Sequence, residues 1–143
     1  MPPTEPVTTG QVVCVLGMHR SGTSLTTRVL NLLGVYLGSD DSMLASDRLN
    51  AKGYWEHESI LEINDELLAR FDGSWHAPPV FPPNWERAPE IADLRRQARV
   101  LLEEEFQEAE LWGWKDPRTC LTLPFWRQAR SADAVRHVSE EPR

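Results

Sequence analysis

The stretch Gln11-Val-Val-Cys-Val-Leu-Gly-Met-His-Arg-Ser-Gly-Thr-Ser24 joins an apolar run to a glycine-containing turn. Residues 11–16 are rich in β-branched side chains and almost wholly apolar, which is typical of a strand buried on both faces in a parallel sheet. From Gly22 to Leu33 the apolar residues change to helical spacing, and Gly34 is a natural stop. One face of this helix carries Leu25, Val29, Leu32 and Leu33. The segment therefore predicts a strand, a turn and a helix.

The rest of the chain predicts three more helices and one more strand. Apolar stripes with helical spacing begin at Ser59 and again within 90–110, separated by a proline-rich loop over 72–89. Residues 111–115 indicate a second buried strand, which Asp116-Pro117 ends, and a short helical piece over 121–130 is interrupted by Pro124. This order favours an α/β fold, namely a P-loop-type parallel sheet flanked by helices. With only two strands visible, we expect that sheet to be incomplete at the C-terminus.

Composition and charge limit the class of protein. The chain has 143 residues with a formal net charge of -7, which argues against a general nucleic-acid binder. We expect one domain over 11–130, between a disordered lead-in over 1–10 and a polar tail over 131–143. No apolar stretch reaches membrane-spanning length, so no membrane partner is expected. Cys14 and Cys120 cannot form a disulfide framework, which makes a reducing cytoplasm the expected compartment.

The segment from Gly17 to Ser24 is the strongest chemical signal. Gly17 and Gly22 have the spacing of the first two glycines of a nucleotide P-loop, in the strand-to-helix context that such a loop requires. Backbone N–H groups of residues 20–24 would point at an oxyanion, backed by the helix dipole. The residues expected to bind the anion are Arg20, Ser21, Gly22, Thr23 and Ser24. A glycine turn that only joins a strand to a helix is the simpler alternative.

One departure from the nucleotide P-loop changes the predicted ligand. Thr23 stands where the Walker A lysine would follow Gly22, and the cation is Arg20, inside the loop. That lysine acts on the β- and γ-phosphates of ATP or GTP. The loop therefore favours an anion site other than that of an ATP or GTP hydrolase.

Three segments together resemble the PAPS-dependent sulfotransferase superfamily in its bacterial branch, where PAPS is 3′-phosphoadenosine-5′-phosphosulfate. Gly17 to Ser24 resembles the 5′-phosphosulfate loop, with Arg20 where cytosolic members have a lysine. Asn50-Ala-Lys-Gly-Tyr-Trp-Glu56 is similar to the family's Gly-aromatic-aromatic-Glu stretch. Trp112-Gly-Trp-Lys-Asp-Pro-Arg118 resembles its Lys-Asp-Pro motif. The three occur in the family's order and cover roughly residues 11–127.

The resemblance implies transfer of a sulfuryl group from PAPS, as donor substrate, to a hydroxyl or amine acceptor. Such a transfer depends on positioning and charge stabilisation, and it is expected to require no metal because the group carries little charge. Lys115 is the candidate cation at the oxygen where charge develops, and Glu56 is the candidate base, with His57 as an alternative base. The simpler interpretations are a solvated lysine paired with Asp116 and a carboxylate at a helix N-terminus.

Two further expectations concern the C-terminal part of the chain and the competing functions. The family binds the donor's 3′-phosphate after its Lys-Asp-Pro region, and the residues after Trp126 are polar here, so we expect a truncated and weakly active member.

A P-loop kinase, with Ser24 and Asp116 holding Mg²⁺, is one alternative, and a non-catalytic nucleotide-binding remnant is the other. The sequence leaves open whether Arg118 contacts the nucleotide or braces Asp116.

Overall fold

A computed structural model describes residues 10–18, 20–43 and 55–131. Strands β1 (Gln11–Val15) and β2 (Leu111–Lys115) pair in parallel. Within the described residues the α-helices are α1 (Thr23–Leu32), α2 (Glu58–Arg70), α3 (Ala92–Phe106) and α4 (Thr119–Arg130). The fold is mixed α/β, with a small two-stranded parallel sheet flanked by helices. The predicted lead-in and tail lie outside the described residues, apart from Gly10 and Ser131.

Strand β2 is more deeply placed than β1. On the edge away from β1, the Tyr36 N–H donates to the Leu111 carbonyl and the Gly113 N–H donates to the Tyr36 carbonyl, each at 3.0 Å. Residues 112–115 are buried, whereas residues 12–15 are only partly buried. The prediction of a strand buried on both faces is therefore right for β2 and wrong for β1, which is an edge strand within the described residues.

The core lies between β2 and helices α2, α3 and α4 and combines aliphatic side chains with stacked aromatic rings. Phe106 stacks on Trp112 with ring centroids 4.4 Å apart, and Trp114 lies 5.2 Å from Trp126. The apolar stripes predicted for α2 and α3 are confirmed by burial of Ile60, Ile63, Leu67, Leu68, Ile91, Leu94, Ala98, Leu102 and Phe106. These helices form because each buries one continuous apolar face against the others.

Helix α1 begins and ends as predicted, but its apolar face is not buried. The four members of that face are between 47% and 73% exposed: Leu25, Val29, Leu32 and Leu33. Thr23 and Thr27 are the buried side chains, and the Thr27 hydroxyl donates to the Thr23 carbonyl at 2.6 Å. The chain enters α1 through Gly22, whose φ is 86°. The apolar period of α1 therefore does not mark the face that is buried.

Pro124 does not interrupt α4, which is continuous from Thr119 to Arg130. Proline lacks the N–H that would bond to the Cys120 carbonyl. The helix persists because Phe125 and Trp126, the next two residues, are buried in the core. Tertiary packing therefore overrides the local cost of the proline.

Two smaller findings concern membrane spans and cysteines. In the ranges that the structure describes, every helix is too short or too polar to traverse a bilayer. Cys14 and Cys120 are unpaired, and burial raises the pKa of the Cys14 thiol to about 11. A thiol with so high a pKa is a packing group rather than a nucleophile.

We predict that truncating the α1 stripe changes stability far less than truncating the core. Leu32→Ala should lower the free energy of unfolding by less than about 0.5 kcal/mol, because surface substitutions rarely cost more. Leu67→Ala, at a fully buried position, should cost about 2–5 kcal/mol. Urea denaturation of both variants measures the difference, and equal losses would show that the α1 stripe is buried in solution.

Candidate functional site

The segment between β1 and α1 curls back on itself. A Cβ at Gly17 would lie 2.5 Å from the Thr23 Cγ2 and 3.0 Å from the Ser21 Oγ, so a larger residue there would have to displace these side chains. Gly22 has the left-handed backbone that glycine adopts most easily. The Ser21 hydroxyl donates to the Met18 carbonyl at 2.6 Å and closes the turn. The described loop residues thus have the tight curvature that the glycine spacing predicted.

Backbone groups and one arginine supply hydrogen-bond donors at this turn. The first N–H groups of α1 have no acceptor within the helix, and the helix dipole makes this end positive. Arg20 is exposed, and within the described ranges its side chain has no hydrogen bond or ion pair. Its φ of 59° places it in the left-handed region. The turn therefore presents an uncommitted guanidinium beside a helix N-terminus, the combination that binds oxyanions.

Lys115, the last residue of β2, lies beside the same turn. Its ammonium group donates to the Glu56 Oε1 at 2.7 Å and to the Ser24 Oγ in α1 at 3.4 Å. The Lys115 and Glu56 side chains are each only 5% exposed. Parallel strands direct their carboxyl ends to one edge of a sheet, so the end of β2 lies next to the loop that follows β1. The structure thus brings together Lys115, Glu56 and the loop, as the sequence predicted.

Burial raises the pKa of Glu56 above its ordinary value, and the hydrogen bond and positive charge of Lys115 oppose that rise. A carboxylate with a raised pKa is a stronger proton acceptor.

The preceding residue, Trp55, has a φ of 57°, which is rare for a bulky side chain. The guanidinium of Arg28 lies 4.9 Å from the centre of its ring. Glu56 thus follows a residue with a strained backbone, Trp55, whose ring packs against Arg28 of α1. Residues 50–54 of the same motif lie outside the described residues.

Asp116 is buried and its two carboxylate oxygens are both occupied. Oδ1 accepts the Arg118 backbone N–H at 3.1 Å and its Nη1 at 2.9 Å, while Oδ2 accepts from Asn64 Nδ2 at 2.9 Å. Arg118 also pairs with Asp65 at 2.6 Å. Arg118 therefore braces Asp116. Because both oxygens of Asp116 already accept hydrogen bonds from protein groups, Asp116 is not available as the Mg²⁺ ligand that a P-loop kinase would need.

His57, the alternative base, contacts α3 instead of the Lys115 cluster. It is 1% exposed, and its Nε2 lies 3.3 Å from the Glu105 Oε1 without the geometry of a hydrogen bond. Burial lowers the pKa of His57, and the nearby Glu105 charge only partly offsets this effect. Of the two candidate bases, Glu56 is therefore the one that lies at the loop.

Sequence reasoning missed Asn64, which is fully buried on α2 and donates to Asp116. A signal was available, because an amide falls on the predicted apolar face of α2, next to Ile63 and three residues before Leu67. A polar residue on an apolar stripe needs internal hydrogen-bond partners. The pairing of Arg28 with Trp55 was also missed, and no sequence pattern indicates it.

The cluster combines three chemical functions within one region. Arg20 and the first turn of α1 can hold an oxyanion, Lys115 can stabilise developing negative charge, and Glu56 can accept a proton. Comparisons of the chain with protein-family models, curated proteins and solved structures give no match. The chemistry of the site is therefore inferred from its geometry and its sequence motifs.

We predict that removing one member of the buried ion pair is more harmful than removing both. Lys115→Met should destabilise the fold by about 3–5 kcal/mol near neutral pH, because it leaves Glu56 buried without a counter-charge. Adding Glu56→Gln should recover most of that loss. Urea denaturation of both single variants and the double variant measures the coupling between the two positions. Additive losses would show that the pair is solvated.

The same variants should differ in how their stability depends on pH. A carboxyl whose pKa is raised by burial favours folding below its ordinary value of 4.5, and this contribution is lost as the pH rises through the folded-state pKa. Without Lys115 that pKa should rise further. The destabilisation caused by Lys115→Met should therefore shrink as the pH falls towards 4.5, whereas Lys115→Met/Glu56→Gln should lack this trend. A pH-independent difference between Lys115→Met and wild type would contradict the assignment.

His57 should make the fold less stable in acid. A histidine with a lowered pKa contributes stability above its ordinary value of 6.5, and the contribution is lost as the pH falls below it. His57→Phe should therefore show a smaller loss of stability than wild type between about pH 6.5 and 5. Urea midpoints measured across this range check the effect, and parallel curves would show that His57 is solvated.

Proposed function

We propose that the protein is a sulfotransferase with a P-loop-type fold that moves a sulfuryl group from PAPS to a hydroxyl or amine acceptor. The observation that carries this proposal is the position of the Lys115 ammonium between Glu56 and Ser24. Each of these three residues belongs to a different one of the three segments that resemble the sulfotransferase superfamily. Their meeting in space is what a shared active site requires, and a chance similarity of separate segments would not require it.

The phosphosulfate end of the donor would bind at the turn before α1. Arg20 is exposed and its side chain has no hydrogen bond or ion pair among the residues that the structure describes. The first-turn N–H groups of α1 are donors without helical acceptors. Together they match the 5′-phosphate, which keeps its negative charge throughout the reaction. Thr23 is buried and its methyl group lies against Gly17, so it fixes the turn.

Lys115 and Glu56 would act on the transferred group and the acceptor. As the acceptor oxygen or nitrogen forms its bond to sulfur, the bond between sulfur and the bridging oxygen breaks, and the electron pair stays on the 5′-phosphate. Lys115 stabilises the charge that develops on that oxygen, with the Ser24 hydroxyl alongside. Glu56 accepts the acceptor's proton, and its raised pKa suits this role. In the ligand-free protein the two side chains neutralise each other.

Transfer of radiolabelled sulfuryl groups from PAPS to a panel of hydroxyl and amine compounds, in the presence of EDTA, tests the proposal. We expect transfer that Lys115→Met reduces by about 10²–10³-fold, with rates corrected for the folded fraction of the variant, which is the usual effect of removing a group that stabilises transition-state charge. Binding of 3′-phosphoadenosine-5′-phosphate (PAP) without any transfer would indicate the nucleotide-binding remnant. Mg²⁺-dependent binding of ATP, without PAP binding, would indicate the kinase. Either outcome would overturn the proposal.

Arg20 provides the sharpest single-residue prediction. Arg20→Ala should weaken PAP binding by about 1.5–3 kcal/mol, the value of a charge-assisted hydrogen bond, which is roughly a 10- to 150-fold increase in Kd. Isothermal titration calorimetry measures it. Arg87→Ala is the matched control, because it removes the same charge from an exposed position between α2 and α3. Equal effects of the two variants would reduce the role of Arg20 to general electrostatics.

A further inference from the structure

Asn64 is a fully buried amide whose hydrogen-bonding capacity is fully used. Its Nδ2 donates to the Asp116 Oδ2 at 2.9 Å and to the Thr119 Oγ1 at 3.2 Å. Its Oδ1 accepts from the Thr122 hydroxyl at 2.7 Å and from the Trp126 Nε1 at 2.8 Å. Two donors and two acceptor sites are the most that an asparagine side chain offers. The amide therefore joins α2 to the end of β2 and to α4.

The orientation of this amide is determined by its partners. The indole Nε1 of Trp126 can only donate, so it must face the oxygen of Asn64. An ionised Asp116 can only accept, so it must face the nitrogen. The reversed amide would set donor against donor and acceptor against acceptor in a buried place, which is costly. Asn64 thus fixes one arrangement of the corner where β2 passes into α4.

Both members of the ion pair at the loop are close in the chain to the elements that Asn64 joins. Lys115 immediately precedes Asp116, and Glu56 stands two residues before the start of α2, the helix that contains Asn64. We infer that Asn64 is a positioning residue that holds the Lys115–Glu56 pair in register. The catalytic meaning of that pair rests on the proposed function, but the positioning itself is a property of the ligand-free protein.

Hydrogen exchange of the Lys115 ammonium protons, followed by ¹⁵N NMR, tests the inference. Asn64→Asp keeps the acceptor oxygen for Thr122 and Trp126 but places a second carboxylate against Asp116. We expect the ammonium protons to exchange at least about tenfold faster, because the charge-assisted hydrogen bond that holds the corner is lost. The resonance is identified by its absence in Lys115→Arg.

A reciprocal exchange of side chains provides the rescue. In the double variant Asn64→Asp/Asp116→Asn, the amide and the carboxylate trade places, so a donor again faces an acceptor between α2 and the residue that follows β2. We expect slow exchange to return in this variant. Leu68→Ala is the control, because it truncates a fully buried side chain of the same helix that has no polar group in the network. It should lower stability and leave the exchange rate unchanged.

If Asn64→Asp does not fold, Thr122→Val provides a second test that perturbs the network less. Thr122→Val removes one neutral hydrogen bond to the Asn64 oxygen and should speed exchange about two- to tenfold. Equal acceleration by Leu68→Ala, or unchanged exchange in the Asn64 and Thr122 variants, would overturn the inference. Because every measurement uses protein without ligand, a failure here is distinct from an absence of sulfuryl transfer. Accelerated exchange in a protein that transfers no sulfuryl group would uphold the positioning role and refute only the proposed function.

Discussion

The buried ion pair between Lys115 and Glu56 is the interaction on which the site depends. Removing two charges from water costs several kcal/mol for each ion, and their mutual attraction offsets this only with good geometry. The Lys115 Nζ and the Glu56 Oε1 are 2.7 Å apart, and each side chain is only 5% exposed. Such a buried pair therefore adds little to stability by itself. Its place at the end of a parallel strand, beside a glycine turn, suits the proposed sulfuryl transfer, which would use a buried cation and a buried carboxylate.

The surrounding structure serves to hold that pair. The β1–β2 pairing brings the end of β2 to the loop. Gly113 allows the two strands to approach, since a Cβ there would clash with the Val13 carbonyl oxygen. On the other side, Asn64 and Arg118 occupy both oxygens of Asp116. A buried polar network of this kind is rigid when every member is satisfied and costly when one is not. The network of Asn64, Asp116 and Arg118 therefore fixes the backbone next to Lys115.

Much of this arrangement could be predicted from the sequence, because it follows from local patterns. The bounds of β2 come from its apolar run and Pro117, and the buried faces of α2 and α3 come from their period. The approach of Lys115 to the loop follows from the rule that parallel strands end at one edge. The curl of the glycine turn follows from its spacing. Glu56 was a candidate only through a motif, because it comes from an irregular segment. Its pairing with Lys115 was not predicted, since the sequence offered Asp116 as the partner.

The failures share a cause, which is that tertiary context decides them. Nothing in the period of α1 reveals that its threonine side, rather than its leucine side, meets the sheet. Pro124 is tolerated because Trp126 and its neighbour anchor α4 in the core. Asn64 interrupts an apolar stripe because its partners are Asp116, which follows β2, and residues of α4, all more than fifty residues later in the chain. Long-range contacts of this sort leave at most an indirect sign in the sequence, such as the single amide on the apolar stripe of α2.

A titration of ¹⁵N-labelled protein with PAP in the presence of EDTA tests the central claim most directly. If the turn and the ion pair form one oxyanion site, the amide signals of residues 21–25 and the ammonium signal of Lys115 should shift together and saturate with one Kd. Signals from α3 should stay unchanged. Shifts confined to other parts of the chain, or a Lys115 signal that is unaffected while the loop saturates, would contradict the account.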